Sequence, residues 1–187
     1  MRDRITVWLG VLGVLAVVVA VVLAALALWP RADDVSAAPA TPRSHPFVST
    51  AGGFSVRVPQ GVQVRRDGPT ARFSVPDRSV VVAVGPAGPG PAPAAAQRLV
   101  ERVRASYAQV RVLGRRTNRV DGRRALTTYG KASSDGVALR FAVVVVAAKP
   151  HPYALTTFTS ADSEPRTVVP VVDALTRSFH VLPARTR

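Results

Sequence analysis

The stretch VRVLGRRTNRVDGRRALTTYGKASSDGVALRFAVVVVAA, residues 110–148, decides the fold. Asp121-Gly122 is a strong signal for a two-residue hairpin turn, because both residue types tolerate the positive φ angles that such turns require. Ser134-Asp135-Gly136 supplies a second tight turn. The segments around these turns, 110–120, 125–131 and 139–148, therefore predict three antiparallel strands joined in chain order.

The last of these segments, LRFAVVVVAA, is apolar except for Arg140, which predicts a central strand covered on both faces. Residues 153–159, YALTTFT, are rich in aromatic and β-branched side chains and predict the next strand. A four-stranded meander is thus expected at the centre of the domain.

Three short strands and a helix are predicted on the N-terminal side of this meander. Residues 54–58 and 71–75 alternate apolar and polar side chains, and residues 79–84 form a more apolar run. The proline- and glycine-rich segment 85–93 predicts a loop. Residues 94–108 predict an amphipathic helix, because their apolar side chains recur at intervals of three and four. These are Ala96, Leu99, Val100, Val103 and Tyr107.

A second helix is predicted after residue 162. Asp162 or Ser163 can cap it. Its apolar stripe consists of Val168, Val172, Leu175 and Phe179. Pro170 conflicts with a regular helix, so the helix is expected either to start near Thr167 or to kink at Pro170. The complete element order predicts an α+β domain, an α/β/α sandwich with a mostly antiparallel sheet.

The N-terminal segment has the properties of a membrane anchor. Ile5–Trp29 contains no charged residue, and 25 residues suffice to cross a hydrocarbon core of about 30 Å. Arg2 and Arg4 precede the span, which predicts a cytoplasmic N-terminus and an extracytoplasmic domain at the plasma membrane. A cleaved signal peptide is the competing interpretation, although its apolar region is typically only about 7–15 residues long.

The chain is accordingly divided into residues 1–29, a transmembrane signal anchor, residues 30–46, a Pro/Ala-rich linker, and residues 47–187, the extracytoplasmic domain. The linker, PRADDVSAAPATPRSHP, lacks an apolar period and is typical of an extended tether. The chain has no cysteine, which excludes disulfides, thiolate metal sites and a lipid-modified cysteine.

Three motifs, in this order, resemble the PsbP-like superfamily and its LpqN-type actinobacterial extracytoplasmic members. They are GFSVRVP at residues 53–59, VDGRRA at 120–125 and VDALTRSF at 172–179. The resemblance covers about residues 47–182. It implies an α/β/α sandwich and a binding or assembly role without chemistry. A transmembrane helix would replace the lipid anchor of the lipoprotein members.

Positive charge dominates the chain, which has a formal net charge of +14, and arginine supplies nearly all of it. Six arginines fall on the first predicted hairpin and its turn, namely Arg111, Arg115, Arg116, Arg119, Arg123 and Arg124. One interpretation is a solvated edge that resists strand-to-strand association. The other is a site for anionic lipid, an anionic wall polymer or an acidic envelope protein. Nucleic acid is disfavoured by the compartment and by the absence of interleaved aromatic residues.

The sequence contains no recognisable catalytic or metal-binding motif. His45, His151 and His180 lack metal-ligand spacing, and neither GxSxG nor a phosphate-binding glycine loop is present. We therefore expect a membrane-anchored binding or assembly protein of the cell envelope, without catalytic activity and without a cofactor. The alternatives are a small envelope hydrolase with an unrecognised site, or a cleaved and secreted binding protein.

Overall fold

The computed structural model of the chain describes residues 43–183. The predicted anchor, Ile5–Trp29, and most of the predicted linker lie outside the described residues. The elements within them are β1 (Ser44–Ser49), β2 (Phe54–Pro59), β3 (Gln63–Asp67), β4 (Thr70–Ser74), β5 (Val80–Pro86), α1 (Ala92–Ser106), β6 (Ala108–Val120), β7 (Arg123–Ser134), β8 (Val137–Val146), β9 (Tyr153–Ser160), α2 (Pro165–Arg177) and β10 (His180–Val181). None of the helices within residues 43–183 is long and apolar enough to cross a membrane.

The central layer is a seven-stranded sheet in the order β3-β4-β5-β9-β8-β7-β6, and every strand pair in it is antiparallel. The four strands of the predicted meander, β6 to β9, are confirmed, but β6 lies at the edge of the sheet, and β8 is not covered on both faces along its length, since Arg140 is exposed. Asp121 and Gly122 adopt φ angles of 54° and 67°, and Asp135 and Gly136 adopt 49° and 79°. Two positive φ angles in a two-residue loop define the type I′ turn that matches the twist of the flanking strands.

The two faces of the sheet carry separate apolar clusters. Helix α1 packs on β6, β7 and β8 over a cluster that includes Phe141, Val143 and Val145. The other face carries the larger cluster, in which Phe54, Phe73 and other residues pack beneath α2 and a small second sheet. The α+β class is therefore confirmed, with a third layer that combines a helix and strands.

The small sheet corrects the predicted N-terminal region. It has the order β1-β2-β10, so β2 does not join β4 and β5 as expected. Strand β1 begins at Ser44, inside the segment assigned to the linker, and Pro46 is tolerated because β1 is an edge strand. Strand β3 was not predicted, since QVRRD has a single apolar residue and gains its order by pairing with β4.

Both helices were predicted, with shifted ends. Helix α1 begins two residues earlier than expected and buries Ala95, Ala96, Val100 and Val103. Helix α2 begins at Pro165, before Thr167, and continues through Pro170, which is exposed to solvent. Its N-cap residue is Glu164 rather than Asp162 or Ser163, and no side chain caps the helix. Phe179 follows α2 and stacks on Phe54, with ring centroids 6.1 Å apart.

Candidate functional site

The structure divides the six predicted arginines between the two faces of the β6–β7 hairpin. Directly opposed residues of antiparallel strands project to the same face. Thr128 lies opposite Val143, a core residue beneath α1, so Thr128 and its β6 partner Arg115 project to the side of α1. We call this side the helix face. By the same alternation Arg119 and Arg124 belong to the helix face, whereas Arg111, Arg116 and Arg123 belong to the other.

The helix face holds two grooves between α1 and the hairpin. The larger has a volume of about 640 Å³ and is lined by Arg115, Thr117 and Thr128 from the hairpin and by Ala96 and Val100 from α1, among others. The smaller, of about 350 Å³, includes Arg124 and otherwise apolar or glycine residues. In both grooves, therefore, apolar walls are combined with charged side chains that are all positive.

Arg119 and Arg124 lie directly opposite each other across β6 and β7 on the helix face. Like charges in this position destabilise a sheet. Arg119 partly offsets the repulsion, since its Nη1 donates a hydrogen bond of 2.9 Å to the carbonyl oxygen of Gly122 in the turn. This arginine consequently also stabilises the turn.

A second basic surface covers the other side of the hairpin. Arg111 lies directly opposite Lys131 on β7, and Lys131 lies directly opposite Arg140 on β8. Arg116 lies on the same side, opposite Thr127, and all four cationic residues are exposed. We call the surface formed by Arg111, Arg116, Lys131, Arg140 and Tyr129 the open face.

Tyr129 lies between the row Arg111, Lys131 and Arg140 and the single cation Arg116. It is 42% exposed, and it lies opposite Gly114 on β6 and Ala142 on β8. A Cβ atom at Gly114 would collide with the hydroxyl group and ring of Tyr129, so the ring lies across this glycine. A tyrosine held flat on a sheet presents an apolar ring and a polar hydroxyl to a partner.

No cation of the open face has an acidic partner in ion-pair range within the described part of the chain. Residues 43–183 contain ion pairs at Glu101–Arg104, Asp173–Arg177, Asp121–Arg123 and Asp121–His180, and none of them involves a cation of the open face. The row Arg111, Lys131 and Arg140 thus places three like charges side by side at an energetic cost. An anionic partner would remove that cost.

Arg123 is engaged differently, at the junction between the hairpin turn and the small sheet. Its Nε lies 3.5 Å from the Oδ2 atom of Asp121. The same carboxylate accepts a hydrogen bond from the backbone N–H of Val181 at 3.0 Å and contacts His180 Nδ1 at 2.7 Å. Arg123 is therefore part of a structural network rather than of the open face.

The pKa of Asp121 reflects this network. Burial alone raises the pKa, because it disfavours the charged carboxylate. The hydrogen bond from Val181 N–H and the contacts with His180 and Arg123 outweigh burial, so the pKa of Asp121 lies below its ordinary value. The carboxylate thereby ties β10 to a turn 60 residues earlier in the chain.

The histidines form no recognisable catalytic arrangement within residues 43–183. His45 is exposed on β1, and His151 lies beside Tyr153 with ring centroids 5.5 Å apart. His180 has an aspartate partner, as in hydrolase dyads, but the contacts described for it include no hydroxyl nucleophile. The described residues also contain no group of three or more His, Asp or Glu side chains placed to hold a metal.

Lys131 and Arg140 were not among the predicted site residues, although the sequence contained the signal for both. A two-residue turn at Asp135-Gly136 fixes the register of β7 and β8, and counting outward from it pairs Lys131 with Arg140. The prediction rested on the density of arginines in residues 111–124, and it therefore left out the isolated cations Lys131 and Arg140.

Solved structures share this fold at low sequence identity. Cyanobacterial PsbP from Synechocystis sp. PCC 6803 is 14% identical with a TM-score of 0.54, over 79% of this chain and 98% of that one. The Ran-binding protein Mog1p of Saccharomyces cerevisiae is 11% identical with a TM-score of 0.54, over 75% and 96%. LpqN of Mycobacterium tuberculosis, involved in cell envelope biogenesis, is 14% identical with a TM-score of 0.51, over 75% and 91%.

No family model matches the chain, and no curated protein matches it in sequence. The structural likeness shows that the domain has the PsbP-like fold, as the three sequence motifs predicted. At these identities the likeness concerns the fold alone.

Proposed function

We propose that this chain is a membrane-anchored, extracytoplasmic binding or assembly protein without catalytic activity, and that its open face binds an anionic partner of the cell envelope. The observation that carries this proposal is the row Arg111, Lys131 and Arg140. These cations stand in one cross-strand register, exposed and without an acidic neighbour in ion-pair range among the described residues. An anionic ligand stabilises such a surface, because it offsets the repulsion between the neighbouring positive charges.

The open face suits an extended anionic surface better than the helix face does. Its four cations project from three adjacent strands, so they can contact neighbouring head groups or repeating anionic units at the same time. Tyr129 adds an amphipathic ring of the kind that favours a boundary between water and lipid. On the helix face, Arg115 and Arg124 instead border grooves with apolar walls.

Two further considerations support the proposal. Mog1p is a Ran-binding protein and LpqN is involved in cell envelope biogenesis, so a binding or assembly role for this chain agrees with roles found on the same fold. The uncharged run Ile5–Trp29 would hold the domain close to the outer surface of the membrane. A tethered domain meets a nearby anionic surface at high effective concentration.

The test compares two triple variants with equal loss of charge. Residues 42–187 form one compact unit and are used without the anchor. The first variant replaces Arg111, Lys131 and Arg140 by Gln, and the matched control replaces Arg115, Arg119 and Arg124 by Gln. Binding to anionic vesicles, zwitterionic vesicles and an anionic polymer is measured by sedimentation at low and high salt.

Each cation near an anionic surface contributes about 1 kcal/mol, so losing three open-face cations should weaken binding about 100-fold. The helix-face control should retain most of its affinity. Binding should fade between about 0.1 M and 1 M salt, as the Debye length falls from about 10 Å to about 3 Å. Equal losses in both triple variants, or no binding by the parent domain, would refute the assignment to the open face.

A further inference from the structure

A second group of arginines surrounds a cleft at the opposite end of the seven-stranded sheet. Helix α1 packs on β6, β7 and β8, and the cleft opens over β3, β4 and β5 beyond it. Its volume is about 430 Å³, within the range of small-molecule sites. The lining residues are Gln63, Val64, Arg65, Arg72, Ser74, Arg78 and Val81.

The strand register explains why these side chains converge. Arg65 lies directly opposite Arg72, and Gln63 lies directly opposite Ser74, so all four project from the same face of β3 and β4. The neighbouring Arg66 projects to the other face, where its guanidinium lies 4.9 Å from the centre of the Phe47 ring. Adjacent arginines on one strand therefore have different surroundings.

Arg78 reaches the cleft from the turn between β4 and β5. It adopts a positive φ angle of 57°, and its backbone N–H donates to the carbonyl oxygen of Val75 at 2.9 Å. The Asp77 carboxylate next to it accepts a hydrogen bond of 2.9 Å from the backbone N–H of Ser79. Hydrogen bonds within the turn thus stabilise it without the Arg78 side chain, and that side chain lines the cleft.

No carboxylate lines the cleft. Asp67 lies on the same side of β3, and Arg78 also borders a depression that contains Asp77, Asp162 and Glu164. Within residues 43–183, however, none of these carboxylates lies within 4.0 Å of an arginine of the cleft. Arg65 and Arg72 therefore face each other as like charges, and no described carboxylate lies within ion-pair range of either.

We propose that this cleft binds a phosphate group, carried by a soluble phosphorylated molecule or by a lipid head group. A guanidinium presents two parallel N–H donors that match the spacing of phosphate oxygens. Three guanidiniums supply more donors than the two oxygens of one carboxylate can accept, whereas a phosphate monoester offers three acceptor oxygens and close to two negative charges. The Ser74 hydroxyl and the Gln63 amide add neutral donors to the same site.

This site is separate from the open face. It belongs to β3, β4 and β5 at one end of the sheet, whereas the open face belongs to β6, β7 and β8 at the other end. The two also lie on opposite sides of the sheet, since Arg72 is opposite Ala83 on the helix-face side of β5. Loss of one activity therefore leaves the other measurable.

The experiment uses the full chain in a non-ionic detergent and two variants, Arg65→Gln and Arg66→Gln. Each variant removes one positive charge from adjacent positions of β3, but only the first removes a cleft arginine. Affinity for inorganic phosphate and glycerol phosphate is measured by titration calorimetry. A second arm uses mixed micelles that contain short-chain phosphatidic acid, with diacylglycerol as the uncharged comparison.

We expect Arg65→Gln to weaken phosphate binding about tenfold or more, the usual effect of removing a charged hydrogen-bond donor, and Arg66→Gln to leave it nearly unchanged. Binding of the soluble compounds that Arg65→Gln weakens would identify a soluble ligand. Binding of phosphatidic acid that Arg65→Gln weakens, without binding of the soluble compounds, would identify a head group, since binding to the open face does not involve Arg65. In the absence of phosphate, Arg65→Gln should melt no lower than the parent, because it relieves the facing charges. Absence of binding in both arms, or equal losses in the two variants, would overturn the proposal.

Discussion

Asp121→Asn should weaken the attachment of the C-terminal strand to the hairpin turn. The side chain of Asp121 is 15% exposed, and its carboxylate accepts the Val181 N–H at 3.0 Å and contacts His180 at 2.7 Å. Asparagine has the same shape and is favoured in the type I′ turn, so the substitution removes the charge and leaves the turn intact. The effect of the charge on stability can then be measured by itself.

The expected cost follows from these contacts. A hydrogen bond to a charged acceptor contributes about 1.5–3 kcal/mol and a neutral one about 0.5–1.5 kcal/mol, so the change at Val181 N–H costs about 1 kcal/mol. The contact with His180, whose side chain is 59% exposed, adds at most about 1 kcal/mol. A total of about 1–2 kcal/mol should lower the melting temperature by roughly 3–8 °C in a domain of this size.

The dependence on pH gives a second, independent measurement. Since the folded-state pKa of Asp121 lies below its ordinary value, the carboxylate stabilises the fold above the unfolded-state pKa of about 3.9. That contribution is lost as the pH falls through the folded-state pKa. The parent and Asp121→Asn should therefore differ in stability at pH 7, and the difference should shrink as the pH falls below about 3.9.

Asp135→Asn is the matched control, because Asp135 occupies the same position of the other type I′ turn. Its carboxylate accepts a hydrogen bond only from the adjacent Ser134 among the described contacts, at 3.3 Å. This control should change stability by less than about 0.5 kcal/mol. If both variants melt at the parent temperature at pH 7, or if the Asp121→Asn difference does not shrink as the pH falls below about 3.9, the carboxylate does not hold the strand.

Three further predictions concern the core and the anchor. Phe141, 3% exposed, lies under α1, so Phe141→Ala should cost about 3–5 kcal/mol in urea unfolding, and a much smaller loss would place it outside the core. Gly130→Ala should cost about 1–3 kcal/mol by thermal unfolding, because its Cβ would collide with the carbonyl oxygen of Arg111 and with the Phe141 ring, and an unchanged melting temperature would contradict that packing. Given the uncharged run Ile5–Trp29, protease added to right-side-out vesicles should digest the domain, and protection beside a digested surface control would reverse the proposed orientation.

The parts of the fold that could be predicted from the sequence are those determined by neighbouring residues. Asp121-Gly122 and Asp135-Gly136 determine their turns through backbone preference alone, and the turns determine the strands beside them. Strand β10 depends instead on the Asp121 carboxylate and on pairing with β2, both distant in sequence. Two residues, His180 and Val181, carry no local pattern from which such a strand could be predicted.

The functional residues, too, were predicted from the sequence only in part. The density of arginines identified the hairpin, but the cleft at Arg65, Arg72 and Arg78 was missed because its residues are spread over two strands and a turn. Their convergence depends on the pairing of β3 with β4, and β3 itself lacks the alternation that reveals a strand. A single apolar residue in QVRRD gave no reason to expect that pairing.

The open face depends on one β-bulge in β6, which could not be predicted from the sequence. Counted from the turn at Asp121-Gly122, a regular hairpin would place Arg111 on the helix face together with Arg115. The structure instead has a bulge between Val112 and Gly114, where Leu113 is the additional residue. The bulge shifts the register by one residue, so Val110 and Val112 pack beneath α1 while Arg111 turns outward to stand beside Lys131. Apolar packing under the helix and the row of cations on the open face are therefore two consequences of the same extra residue.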